Sequence, residues 1–281
     1  MAPPAAAPAA PMRALGLPAP APWAGQRFAI VHEPPAGAAL KGRMLYVHPL
    51  AEEMNKSRRM AARQAQRLAR AGWQVLIVDR LGCGDSDGGT ADMAWSAWLA
   101  DVRAGLAWLR EQGAGPLWLW GLRAGCLLAA EVAAEGGCTG LLLWQPQTSG
   151  KLAAQQFLRL RLAADMLGGQ AKGAMDALRQ SLQAGDAVSV AGYSVRAPLI
   201  DGLEAATLRE PAPGLRVVWL EVGADGAEPA PASQRLIEQW RQRGVVVQAR
   251  VVAGPMFWQV TEIEDAPALW DATDQALAEA A

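Results

Sequence analysis

Histidine is almost absent from this chain. Its 281 residues hold only His32 and His48, so the side chain that most often moves protons at neutral pH has two places to act from. Cysteine is scarce as well. Cys83, Cys126 and Cys138 are odd in number and dispersed, which excludes a disulfide framework and offers no zinc-ligand spacing; the expected compartment is reducing and the expected location cytoplasmic. The net charge is −1, too small to draw the chain to nucleic acid or to an anionic membrane surface. No apolar run has the length of a membrane span. Nothing in the sequence calls for a cofactor.

Apolar residues are plentiful, at 52%, enough to fill a sizeable core in one α/β domain with an insertion or in two small domains. The first 25 residues, "MAPPAAAPAAPMRALGLPAPAPWAG", are mostly alanine and proline. Prolines interrupt the apolar core that a signal peptide needs, so residues 1–25 read as a disordered or polyproline-like tail and 26–281 as the domain.

From there strands and helices alternate. "QRFAIVHEP" and "GRMLYVHPL" read as two neighbouring strands. "NKSRRMAARQAQRLARAG" reads as a helix opened by Asn55 and closed by Gly72, with a basic, solvated outer face. "WQVLIVDRLG", "PLWLWG" and "TGLLLWQP" are near-continuous apolar runs, as in strands buried on both faces, and helical patterns separate them. The order predicts a doubly wound, mostly parallel sheet. From about 149 to 208 the rhythm breaks into helical segments without a buried strand, which reads as a cap inserted over the C-terminal edge of the sheet. "LRVVWLEVG" and "VVVQARVVAG" then resume it, each followed by a helix.

One turn concentrates the chemistry. "WLWGLRAGCLLAAEVAAEG" runs from an apolar strand through Gly121-Leu122-Arg123-Ala124-Gly125 into a helix. Its glycine spacing is that of a G-x-S-x-G nucleophile elbow, whose central residue is held up on a strained backbone while small neighbours let strand and helix pass closely. The centre here is Arg123. A guanidinium stays protonated and has no lone pair with which to attack a carbonyl. It also sits where a helix N-terminus rejects a cation, so an anion must offset it. Glu52, Glu53, Asp225 and a bound anionic ligand are the candidates.

The elbow, the "DRLGCGDSDG" loop and the segment "YVHPLAEEMNKSRRM" together resemble the α/β-hydrolase superfamily. More narrowly, "HPLAEEMNKSRRM" with "WGLRAG" is similar to the hydrolase 2 family associated with the exosortase A system of bacteria, from about Arg27 to the C-terminus. The resemblance implies an α/β-hydrolase fold and a place beside machinery for protein sorting and extracellular polysaccharide. It implies a triad carboxylate at Asp225, in "WLEVGADG". It implies that His48 shapes the turn that usually supplies an oxyanion-binding amide, with Leu50 and Ala124 offering backbone N–H groups. In the family the catalytic histidine follows the last strand, where this chain reads "VVAGPMFWQVTEIED" and contains none. Asp85 or Ser86 is expected to cap its own loop, and Cys126 to pack in the core.

The triad positions are thus Arg123 and Asp225, and the expected ligand-binding set is His48, Leu50, Glu52, Glu53, Ala124 and Trp258. Three readings stay open: a non-catalytic protein holding a small anionic or acyl ligand, an ester or thioester hydrolase using Arg123 with a carboxylate, and a docking subunit for exosortase or polysaccharide-system proteins.

Overall fold

The computed structural model describes residues 10–167, 173–260 and 262–280. Its sheet runs in the order β1 (Met12–Pro18), β2 (Gln26–His32), β4 (Trp73–Val78), β3 (Gly42–Val47), β5 (Leu117–Leu122), β6 (Gly140–Trp144), β9 (Arg216–Gly223), β10 (Val246–Ala253). From β4 to β10 every pairing is parallel, whereas β1 and β2 are antiparallel. Helices cover both faces, as a parallel sheet requires. On one side α2 (Trp95–Glu111) and α3 (Gly125–Ala134) close over Leu45, Leu119, Leu141 and Leu143. On the other, α1 (Glu52–Arg70) and α8 (Pro267–Ala280) close over Met44, Tyr46, Trp118, Trp120 and Trp144.

The structure corrects several expectations. Residues 12–18 of the supposed tail form edge strand β1, paired with β2 from Met12↔His32 to Pro18↔Gln26. An edge strand tolerates a terminal proline because one row of its amides needs no partner, and Leu17 is buried there. Residues 1–9 of that tail lie outside the described residues. β2 and β3 are not neighbours, since β4 lies between them. Asn55 does not cap α1. The helix begins at Glu52, with two acidic residues in its first turn that suit the N-terminal dipole, and Asn55 Nδ2 donates to Tyr193 Oη at 2.8 Å. The basic face of α1 is exposed at Arg58, Arg59, Arg63 and Arg70, and its arginines also reach acidic partners. Arg59 and Arg63 share Asp265, and Arg67 bridges Asp271 and Asp274 of α8.

The insertion contains α4 (Gly150–Leu167), α5 (Ala174–Gln183) and α6 (Ala197–Ala205). It also contains a hairpin that the sequence did not announce, β7 (Val188–Val190) with β8 (Tyr193–Val195). Val190 and Val195 are both fully buried, so packing decides two strands too short to show a pattern. A bridge between Ser149 and Thr207 ties the base of the insertion together.

Candidate functional site: a cleft above the elbow

Two glycines make the elbow possible. A Cβ on Gly121 would collide with the backbone of Cys126, and one on Gly125 with the carbonyl oxygen of Val47. Between them Arg123 has φ 54°, the left-handed region that costs a non-glycine residue about 1 kcal/mol. Its amide donates to the Trp144 carbonyl (3.0 Å), and its carbonyl accepts from Cys126 N (3.0 Å). Cys126 is buried in the core.

The side chain rises into the cleft. Arg123 Nε donates to Glu53 Oε1 at 3.2 Å, and one terminal nitrogen reaches Gln156 Oε1 at 3.5 Å. The guanidinium carbon lies 5.5 Å from the centre of the Trp258 ring, within cation–π range. Side-chain exposure is 12% for Arg123 and 19% for Glu53. Burial pushes the Glu53 carboxyl above the usual carboxylate range, and Arg123 pulls it only part of the way back. The anion that the elbow required is therefore Glu53, from the first turn of α1.

The cleft has a volume of about 460 Å³. Leu50, Glu52 and Glu53 form one wall, Ala153, Gln156, Phe157 and Leu160 of α4 the opposite wall, and Gln147, Trp258 and Gln259 the ends. Glu52 is held by Lys56, which also donates to the Gln259 carbonyl, each at 3.2 Å. Ala124 is buried at the start of α3.

Ala124, Asp225 and His48 are not among the residues that line this cleft. Asp225 is exposed and lines a separate depression with Arg250 and Asp271, as a short aspartate in a glycine-bounded loop does when it serves turn geometry. His48 is buried on the far side of the β3–α1 loop. Arg80 donates to its Nε2 (3.2 Å) and to its carbonyl (2.7 Å), and stacks 4.1 Å from the centre of the Trp98 ring. Burial brings the Arg80 guanidinium down to about 10, and burial with Arg80 holds His48 well below its ordinary value, hence neutral. In the nearby loop Ser86 accepts from Phe28 N at 2.8 Å and donates to the Asp79 carbonyl, so it braces the backbone and lies away from the cleft.

Sequence reasoning missed Gln147, Ala153, Gln156, Phe157, Leu160 and Gln259. The only available signal was the i, i+3, i+4, i+7 spacing of Ala153, Gln156, Phe157 and Leu160 on one face of α4. Among the described residues no histidine lines the cleft. Trp258 occupies the loop after the last strand and faces Arg123. The elbow thus carries Arg123 at the position where a Ser–His–Asp site carries its hydroxyl.

Residues 38–200 match the family model described as serine aminopeptidase, S33. No curated protein matches the chain in sequence. Among solved structures, the chain is similar to Est1E from Butyrivibrio proteoclasticus with ferulic acid bound (TM-score 0.63, 14% identity, 91% of this chain and 95% of that one). It is similar to a putative hydrolase from Agrobacterium vitis S4 (TM-score 0.61, 17% identity, 96% and 98% covered). A third is XC6422 from Xanthomonas campestris, described as an α/β serine hydrolase without a lid (TM-score 0.56, 17% identity, 97% of each chain). These likenesses establish the α/β-hydrolase fold.

Proposed function

The chain belongs to the serine aminopeptidase S33 family of α/β hydrolases, and we propose that within it this protein keeps the substrate cleft as a binding site while lacking Ser–His–Asp hydrolysis. One observation carries the reading: the position that should hold the nucleophile holds a guanidinium already engaged by Glu53 beneath Trp258. With Arg123 given to Glu53 and Lys56 to Glu52, the cleft presents paired charges beside Leu50, Ala153, Phe157 and Leu160. That lining favours an uncharged acyl group over an anion, which would find its cation taken. Gln147, Gln156 and Gln259 supply amide groups for a carbonyl-containing head. An open volume of about 460 Å³ also favours a small ligand over a partner protein docked on a filled pocket. The resemblance of "HPLAEEMNKSRRM" and "WGLRAG" to exosortase A-associated hydrolases supports a bacterial setting beside that sorting and polysaccharide system.

The test is calorimetric titration with N-methyl acyl amides of four to twelve carbons, run beside a hydrolysis assay on the matching 4-nitrophenyl esters. Saturable amide binding without protein-dependent ester release is the expected result. Absence of any binding would sink the reading. A second reading is favoured by the Glu53 carboxyl itself, which lines the cleft with a raised proton affinity and could activate water. Ester release that disappears in Glu53→Gln would establish that alternative.

A further inference from the structure

A second cavity, about 350 Å³, lies on the other side of the β3–α1 loop. Its floor comes from three adjacent strands: Ile30 and His32 of β2, Ile77 and Asp79 at the end of β4, Tyr46 and His48 at the end of β3. Each pair is two residues apart and so faces the same way, and the register sets Ile30 and Tyr46 against Ile77. Its wall is one stripe of α1, formed by Met54, Arg58, Ala61, Ala62 and Gln66. Met12, paired with His32, closes the outer end.

Sheet and helix thus enclose a pocket that is largely thioether and hydrocarbon. One polar atom among its lining residues is left over. His32 Nδ1 is buried without a hydrogen-bond partner, in a residue only 1% exposed, whereas the Tyr46 hydroxyl is met by Ser57. A buried polar atom of this kind ordinarily finds a partner. The charged groups are spoken for: Arg58 donates to Asp79 at 3.0 Å. Burial holds both imidazoles below their ordinary value, hence neutral. A carboxylate or an ammonium entering the cavity would meet no free counter-charge, whereas methionine sulfur and branched aliphatic carbon suit an aromatic ring.

We propose that this cavity is a second binding site, separate from the elbow cleft, for a small uncharged aromatic alcohol of the phenol class. The ring lies between Met54 and the Ile30–Ile77 floor. The hydroxyl donates to His32 Nδ1.

The composition makes the test clean, because His32 and His48 are the only histidines in the chain and both line the cavity. The full chain, carbon-13-labelled in its imidazole rings, is titrated with phenol, toluene and benzoate. The expected result is a saturating shift of the His32 ring signal with phenol, and at least tenfold weaker responses with toluene and benzoate. Ala62→Leu, which fills the space from the helix side, is expected to abolish the response. The proposal is overturned if phenol gives no saturable His32 shift, if toluene binds as well as phenol, or if Ala62→Leu leaves the shift unchanged.

Discussion

At position 123 three demands meet in one side chain: a backbone at φ 54°, a helix N-terminus that disfavours a cation, and a largely desolvated guanidinium. Glu53 answers the last two, so the pair behaves as a structural unit whose loss is felt asymmetrically. Arg123→Ala leaves the largely buried Glu53 carboxylate without its partner. Because both side chains keep some exposure, the cost should be about 2 kcal/mol, below the range for fully buried pairs. Arg123→Gly should be about 1 kcal/mol less harmful than Arg123→Ala, since glycine removes the left-handed strain; urea denaturation of the two variants measures the difference. The pH dependence follows from Glu53. Its folded-state affinity for protons is raised above the ordinary 4.5, so between that value and its folded pKa the native state holds more protons than the unfolded chain. Its contribution therefore favours the fold at the acid end of that window and is lost as pH rises through the folded pKa. Wild-type stability minus that of Glu53→Gln should fall with rising pH there, and a difference that rises would contradict the burial argument. The elbow and its need for an anion were legible in the sequence because glycine spacing and helix polarity are local. Asp225 was misread because a loop aspartate looks the same whether it points at the site or away. Gln156 was missed because nothing local brings it across 33 residues to Arg123.

Among the elements, the elbow strand β5 and helix α3 pass so closely that Gly121 and Gly125 have no tolerance for a side chain. Gly125→Ala should cost about 3 kcal/mol or prevent folding, because its methyl group would meet the Val47 carbonyl, a backbone atom held in the middle of the sheet; thermal unfolding of the purified variant reads this directly. The α1–α8 contact is of another kind. Arg59 and Arg63 are roughly half exposed where they share Asp265, so Asp265→Ala should cost at most about 1 kcal/mol, and less at high salt. A larger loss would mean that this helix pair is fixed by its charges more than by the apolar seam beneath them. Long apolar runs such as "WQVLIV" and "LWLWGL" announced their strands because both faces are buried. β1 did not, because an edge strand exposed at most of its positions resembles a tail, and the β7–β8 hairpin did not, because three-residue strands have no period to read. That β4 separates β2 from β3 is a matter of tertiary pairing, which no single segment encodes.

In the whole molecule, a hydrolase scaffold surrounds a cleft whose reactive position has been given over to an ion pair. The doubly wound order was legible from the alternation of elements, and the arginine at the elbow centre from one short motif. The cleft wall was not, because it is assembled from the β3–α1 loop, α4 and the loop after β10, which lie far apart in the chain. No group in this cleft is expected to form an acyl-enzyme. Mixing the protein in molar excess with 4-nitrophenyl butyrate and following nitrophenolate release on the millisecond-to-minute scale checks this. The trace is expected to match buffer, in the wild type and equally in Arg123→Ser, which restores a hydroxyl but no histidine. A rapid burst of nitrophenolate, accompanied by a stable mass increase of one butyryl group on the protein, would show a nucleophile at work and contradict it.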